Sequence, residues 1–247
     1  MPSYRRNAIA VGVLLIACSA ATILSLVPLG SMLDAPVDLA RLAANDNRVV
    51  LTALIEFVWA ATAAGIAIAL YPVLRKRNRA LALGSVAARV VEGVFVLVGT
   101  LSLLALLTLS QESVAAGSAG SSSFQAAQDA LLAVRDWAHW FIMSLPFALG
   151  ALMYYYLLYR SRLVPRWLSG WGLLGAGLCL VATVYLGFTQ EFGFSTVDTV
   201  LNIPIGVQEM VLAVWLIVKG FNRSAVTAER AAHVEGAVSN APTGRES

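Results

Sequence analysis

Five ionisable side chains lie inside long apolar runs of this sequence, where a charge is costly. They are Glu56, Arg89, Glu92, His139 and Glu209. Ionisable groups at bilayer depth are rare and mark a ligand path, an ion path or a paired cluster. Three carboxylates and one guanidinium leave surplus negative charge, so some acids are protonated or a cation lies among them. We expect Glu56 to be the protonated acid, because Arg89 lies nearer in depth to the other two.

Small and polar residues share helical faces with these charged groups. Arg89 and Glu92 are three positions apart and lie on one face of a helix, and Glu209 shares its face with Asn202. Polar side chains flanked by small residues are typical of helix–helix interfaces in membranes. We therefore expect the second, third and sixth membrane helices to meet around a polar core formed by Glu56, Arg89, Glu92, Asn202 and Glu209, with His139 of the fourth helix as a further candidate.

Catalytic motifs of soluble enzymes are absent from the sequence. It contains no His-Glu-x-x-His pair, Walker loop, Gly-x-Ser-x-Gly elbow or Cys-x-x-Cys pair. His139 could bind zinc together with glutamates, but one histidine without a second cluster predicts no metal site. Its neighbours Trp137 and Trp140 indicate an aromatic belt at the membrane interface, near the outer end of the polar core. Cys18 and Cys179 match no disulfide framework or metal spacing, so no cofactor is expected.

The composition identifies the environment that must hold these residues. Of the 247 residues, 59% are hydrophobic and only 13% are charged, whereas soluble domains have about 45–50% apolar and about 25% charged residues. One soluble core could not bury so much apolar surface at this length. The composition therefore excludes an ordinary soluble protein and a disordered chain, and it predicts the lipid bilayer as a partner.

Six apolar stretches are long enough to cross a bilayer, which takes roughly 20 residues. Lipid offers the backbone no hydrogen-bond partners, so these stretches must be helices. The predicted fold is all-α, an integral membrane bundle of six transmembrane helices within residues 1–223, followed by a disordered cytoplasmic tail at 224–247. The predicted spans are Ala8–Leu29, Val49–Leu74, Ala80–Leu109, Trp137–Tyr159, Leu168–Phe188 and Val200–Phe221.

The basic residues predict the orientation of the bundle. Of the 17 Lys and Arg residues, 13 precede the first span, follow the sixth, or lie in the loops after the second and fourth spans. Only Arg41, Arg48 and Arg135 lie on the other side. The positive-inside rule then predicts that both termini are cytoplasmic, in a bacterial inner membrane. The basic clusters face anionic lipid in this interpretation, so no nucleic-acid partner is expected.

Three further segments are predicted on the outer side. Asp34–Asn45 has an acidic start, an early proline and a final asparagine, which predict a short helix lying on the interface. The low-complexity run Gly117–Ser123 is predicted to be flexible. The segment Gln125–Arg135 is predicted to be helical and to extend the fourth span outward.

Two motifs resemble a known family. The third span contains Ala88-Arg89-Val-Val-Glu92 after a basic turn, and the sixth contains Glu209-Met-Val-Leu-Ala-Val-Trp215-Leu-Ile-Val-Lys219-Gly220. Over about residues 8–221 the chain resembles the bacterial Domain of Unknown Function 4386 family, a set of small polytopic membrane proteins without an assigned activity. The resemblance implies a compact helical membrane bundle. It marks five typical family positions of unknown role: Arg89, Glu92, Glu209, Trp215 and Lys219.

The leading hypothesis is a multi-pass membrane protein that binds or transports a small molecule or an ion through a buried Glu/Arg site. One alternative is an intramembrane enzyme that acts on a lipid with a glutamate as general base. Another is a structural or sensory subunit whose charges only hold helices together. A wet, open cavity at Glu56, Glu92 and Glu209 would favour binding or transport, and a dry, fully paired cluster would favour the structural class. The sequence predicts no particular oligomeric state.

Overall fold

Six helices of the protein are long and apolar enough to cross a membrane, as the sequence predicts. The computed structural model describes residues 2–33, 37–117, 122–193 and 195–222. The predicted tail at 224–247 lies outside these ranges, as do residues 118–121 of the low-complexity run. The helices are α1 (Pro2–Leu24), α2 (Leu39–Ala43), α3 (Asp46–Leu74), α4 (Arg79–Ala115), α5 (Ser122–Asp136), α6 (Ser144–Ser161), α7 (Arg166–Thr189) and α8 (Thr196–Val218).

The spanning helices form a ring in which neighbours along the chain are also neighbours in space. The pairs α1–α3, α3–α4, α4–α6, α6–α7 and α7–α8 pack together, and α8 closes the ring against α1. Gly12 allows this closure, because a Cβ there would lie 2.7 Å from the carbonyl oxygen of Ala213. The second and third membrane helices, α3 and α4, are adjacent as expected. The expectation that the sixth, α8, packs with them is wrong, because α8 lies between α7 and α1.

The start of α1 and the end of α8 lie at one end of the ring, which we call the terminal end. Arg5 Nη2 donates a hydrogen bond to the carbonyl oxygen of Ile217 at 2.7 Å, where α8 finishes. Lys76 Nζ donates to Tyr4 Oη at 2.7 Å, which ties the α3–α4 turn to α1. Asn78 then starts α4, since its Oδ1 accepts from the Leu81 N–H at 3.0 Å.

The opposite end of the ring carries α2, and we call it the α2 end. The predicted interfacial helix is present but runs only from Leu39 to Ala43. Its start is set by Asp38, whose Oδ1 accepts from the backbone N–H groups of Ala40 at 2.9 Å and Arg41 at 3.2 Å. Leu39 and Leu42 are buried in an apolar cluster with residues of α4. Residues 34–36 of the prediction lie outside the described ranges.

The fourth span changes its winding in the middle. The predicted helical extension before Trp137 is confirmed, because α5 continues directly into a π-helical turn at Trp137–Ile142 and then into α6. The Met143 N–H donates to the carbonyl oxygen of Ala138 at 3.0 Å, five positions back. Such turns widen the helix, rotate the side chains that follow and are frequent at functional sites. Here the turn carries His139.

Candidate functional site

Glu56 lies in a polar cluster between α3, α4 and α5, which we call the α3–α5 cluster (Glu56, Thr100, Arg135 and His139). Its Oε1 lies 2.5 Å from Arg135 Nη2, and its Oε2 accepts from Thr100 Oγ1 at 2.7 Å. Arg135 Nη1 also donates to the carbonyl oxygen of Gly99 at 3.0 Å. The side chain of Glu56 is 1% exposed and that of Arg135 is 12% exposed. The pair is therefore a shielded ion pair in which each partner has a further hydrogen bond.

This pair removes the reason for expecting Glu56 to be the protonated acid, because a cation lies in contact with its carboxylate. That expectation placed Arg135 in an outer loop and left Arg89 as the sole buried cation. Because α5 is a continuous part of the fourth span, it carries Arg135 inward to Glu56. The amphipathic helical pattern predicted for Gln125–Arg135 was the signal in the sequence that could have found this cation.

His139 faces the interior, so the belt interpretation is wrong for this residue. It is buried, its Nε2 lies 3.0 Å from the carbonyl oxygen of Val96, and its ring lies 5.7 Å from that of Trp59. Gly99 makes room for it, because a Cβ there would overlap the imidazole. His139 contacts Val96 and Glu56 contacts Thr100, and Val96 is about one helical turn nearer the terminal end. His139 therefore lies farther from the α2 end than Glu56 does. The π-helical turn accounts for this inward position.

Arg89 and Glu92 form the second buried pair, near the middle of the ring. Arg89 Nη1 lies 2.9 Å from Glu92 Oε2, and both side chains are buried. Arg89 Nε donates to the carbonyl oxygen of Ala63 at 3.3 Å, and its guanidinium lies 5.0 Å from the centre of the Phe147 ring. The two paired atoms are close enough for an ion pair but do not form a hydrogen bond, and neither has a hydrogen-bond partner among the described residues. Buried polar atoms in this condition call for a further ligand such as a water or an ion.

Glu209 comes from α8 on the other side of the ring and has weaker support. It is half-buried, and its Oε1 accepts from Tyr154 Oη at 3.4 Å, a long hydrogen bond. Among the described residues, no lysine or arginine nitrogen lies within salt-bridge distance of its carboxylate. Arg89 acts on it only over a longer range. We call Arg89, Glu92, Tyr154 and Glu209 the central cluster.

The central cluster joins side chains of three spanning helices. Arg89 and Glu92 come from α4, Tyr154 comes from α6 and Glu209 comes from α8, while α3 supplies the Ala63 carbonyl oxygen that Arg89 contacts.

A buried glutamine that the sequence reasoning missed holds the position of α8. Gln208 Nε2 donates to the carbonyl oxygen of Leu168 at 3.0 Å, and its Oε1 accepts from Tyr155 Oη. Gly172 accommodates the Tyr155 ring, because a Cβ there would lie 2.5 Å from two ring atoms. The adjacent tyrosines, Tyr154 and Tyr155, therefore face Glu209 and Gln208, which are adjacent on α8.

Asn202 does not join the polar core, contrary to the sequence interpretation. Its Nδ2 donates to Asp198, at 3.0 Å to the carbonyl oxygen and 2.9 Å to Oδ1. The amide is thus used within the first turns of α8, about two helical turns from Glu209. The family positions Trp215 and Lys219 also lie away from both clusters, at the last turn of α8, where the Lys219 N–H donates to the Trp215 carbonyl oxygen at 2.7 Å.

The charges of the two clusters leave one acid in surplus. Glu56 is balanced by Arg135, and Glu92 is balanced by Arg89. Glu209 remains without a cationic partner at contact distance among the described residues. The surplus is therefore one carboxyl group, in the central cluster. Setting the three glutamates against Arg89 alone would leave two.

A cavity opens at the α2 end, between the segment before α2 and helix α5. Its volume is about 470 Å³, and Arg135 lies at its inner boundary, so it leads to the α3–α5 cluster. Its polar lining consists of Asp38, Gln125, Gln128, Asp129, Arg135 and Asp136.

Comparison with known proteins agrees with this architecture. No curated protein and no solved structure matches the chain. The model of one family, described as a domain of unknown function (DUF4386), matches residues 10–220. This range contains both polar clusters and all but the first turns of α1. The protein is thus a multi-pass helical membrane protein, and it belongs to the DUF4386 family.

Proposed function

We propose that the central cluster binds one positive charge, a proton or a small inorganic cation, as part of the binding or transport of a small solute across the membrane. The observation that carries the proposal is Glu209. Its carboxyl group lies at mid-depth in the ring with only a long hydrogen bond from Tyr154 and no cation at contact distance among the described residues.

The cost of burial supports this occupant. An ionised carboxylate without a partner is strongly disfavoured away from water. Arg89 cannot neutralise two acids, and its close contact is with Glu92. Arg89 Nη1 and Glu92 Oε2 meet as an ion pair without a hydrogen bond, so each atom keeps the capacity to bind a further polar group. A proton on Glu209, or a cation between Glu209 and Glu92, would satisfy the charge balance.

The proposed setting is a bacterial inner membrane with both termini in the cytoplasm. The basic turn Arg75–Arg79 and the arginines before α7 lie at the terminal end of the ring, which supports this orientation. The transmembrane domain would then span residues 1–223, and the α2 end with its cavity would face outward.

The α3–α5 cluster favours a second candidate, the structural or sensory subunit. Glu56 is satisfied by Arg135 and Thr100, so this cluster holds helices together without needing a ligand. If the central cluster behaved in the same way, the protein would bind nothing there. The lipid-enzyme alternative stays a prediction that no contact described above favours.

Two measurements on the purified full-length protein test the proposal. Infrared spectroscopy detects a protonated carboxyl group, and its band should disappear in Glu209→Gln but persist in Glu56→Gln. Thermal unfolding in sodium, potassium or N-methylglucamine chloride, at one ionic strength, detects a bound cation. A specific cation at 100 times its Kd should stabilise the wild type by about 2.7 kcal/mol, and Glu209→Gln should lose this effect.

Glu112→Gln is the matched control, because Glu112 is an exposed glutamate near the end of α4. It should keep both signals. A wild type that is folded yet has neither the carboxyl band nor a cation-dependent stability would contradict the proposal and support the structural subunit.

A further inference from the structure

The cavity at the α2 end contains a buried polar side chain without a partner. Gln128 is 8% exposed and lines the cavity. Its amide makes no hydrogen bond within the described part of the protein, and its atoms are not among the fully enclosed unpartnered atoms there, so they face the space of the cavity. A buried polar side chain usually finds a partner in the protein or in a bound molecule. The amide of Gln128 thus indicates that a ligand with polar groups enters this cavity.

The charge of the lining indicates the sign of that ligand. Among the described residues that line the cavity, Asp38, Asp129 and Asp136 are acidic and Arg135 alone is basic. The Arg135 guanidinium is already held by Glu56 and by the Gly99 carbonyl oxygen, so it has little to offer an anion. Asp38 uses one carboxylate oxygen to start α2. The carboxylates of Asp129 and Asp136 are therefore the groups best placed to meet a cation.

The rest of the lining indicates the chemical class. Leu33, Val37, Leu39 and Leu132 form an apolar wall, and a volume of about 470 Å³ lies in the range of small-molecule sites. Within the described ranges, no three acidic, histidine or cysteine side chains converge closely enough to hold a metal ion. The acids therefore surround a space that is too wide for a metal site and is partly apolar.

We infer that this cavity binds a small organic cation, an ammonium or amidinium carried on an apolar body. Its charged group pairs with Asp129 and donates a hydrogen bond to the side-chain oxygen of Gln128, Asp136 adds negative charge to the same cavity, and the apolar part lies against Leu132. The site shares no residue with the central cluster, so it stands or falls independently of the function proposed for Glu209.

Equilibrium dialysis of the purified full-length protein in non-ionic detergent tests the inference. The probes are phenylbutylammonium and phenylpentanoate, which have the same apolar body and opposite charges. The wild type should retain the ammonium in a saturable manner and should not retain the carboxylate. Asp129→Asn and Gln128→Leu should each weaken ammonium binding roughly tenfold, the loss typical of one hydrogen bond or ion pair to a charged group.

Two controls locate the binding. Asp129 is exposed and makes no hydrogen bond within the described residues, so its replacement by Asn should leave folding intact even if Gln128→Leu does not fold. Glu112→Gln removes an acid that does not line the cavity and should bind normally, as should Glu209→Gln. Equal retention of both probes, no saturable ammonium binding, or unchanged binding in Asp129→Asn would overturn the inference. Loss of binding in Glu209→Gln would also overturn it, because the probe would then occupy the central cluster.

Discussion

Arg135 Nη2 lies 2.5 Å from Glu56 Oε1, although 79 positions separate the two residues along the chain. The contact joins α3 to the fourth span at the inner boundary of the cavity. Because both side chains are largely hidden from water, neither can readily exchange its partner for solvent. The pair therefore ties α3 to the fourth span, and removing one partner would leave the other charge buried alone.

Arg135→Leu should leave Glu56 buried without its cation. We expect the free energy of unfolding to fall by about 3–5 kcal/mol, as for one broken buried pair. The double variant Arg135→Leu/Glu56→Gln should recover a large part of this loss, because the amide carries no charge. Unfolding by SDS in mixed micelles measures both. Arg41→Leu, at an exposed arginine of α2, is the control and should change little. No recovery in the double variant would show that Glu56 is balanced by another group.

Arg89→Leu should also destabilise the protein by about 3–5 kcal/mol, and the pattern of rescue identifies its partner. Glu92→Gln should restore more stability to this variant than Glu209→Gln, since Arg89 Nη1 lies 2.9 Å from Glu92 Oε2. The same SDS titration applied to both double variants gives the comparison. Equal or greater rescue by Glu209→Gln would mean that Arg89 pairs mainly with α8.

Gly99→Ala should force the His139 imidazole out of its place against α4, because the added Cβ would overlap the ring. Overpacking of this kind costs roughly 1–3 kcal/mol. Gly99→Ala/His139→Ala should be more stable than expected from adding the two single effects, which a double-mutant cycle measures. Gly177→Ala is the matched control, since nothing lies near a Cβ there and a helical alanine stabilises by about 0.5–1 kcal/mol. Strictly additive effects would show that Gly99 and His139 do not interact.

The orientation can be measured by cysteine labelling. Cys18 and Cys179 are both buried and can be replaced by alanine to remove background. In intact bacterial cells, a cysteine at Lys76 should resist an impermeant thiol reagent, and one at Glu112 should react. The physical reason is the excess of basic residues at the terminal end, which favours retention in the cytoplasm. Labelling at Lys76 but not at Glu112 would contradict the predicted topology and indicate the opposite orientation.

Local properties of the sequence were enough to predict the six spans. Apolar runs of sufficient length must be helical in lipid wherever their neighbours lie, so hydropathy alone located all six membrane helices, although α1 begins six residues before the predicted span and α4 ends six residues after it. The burial of Glu56, Arg89 and Glu92 followed from the same runs, and each is buried in the structure. The short helix after Asp38 and the extension of the fourth span were also predictable, because caps and helical patterns are local signals.

The partners of these charges were decided by the tertiary structure. Sequence spacing could relate Arg89 to Glu92, which share one helix, but it could not bring Arg135 to Glu56 or Tyr154 to Glu209. Those contacts depend on the order of helices around the ring, on the rotation that the π-helical turn gives the fourth span, and on the close approaches that Gly99 and Gly172 allow. Hydropathy determines which residues leave water, whereas the packing of one helix face against another determines which buried charges meet.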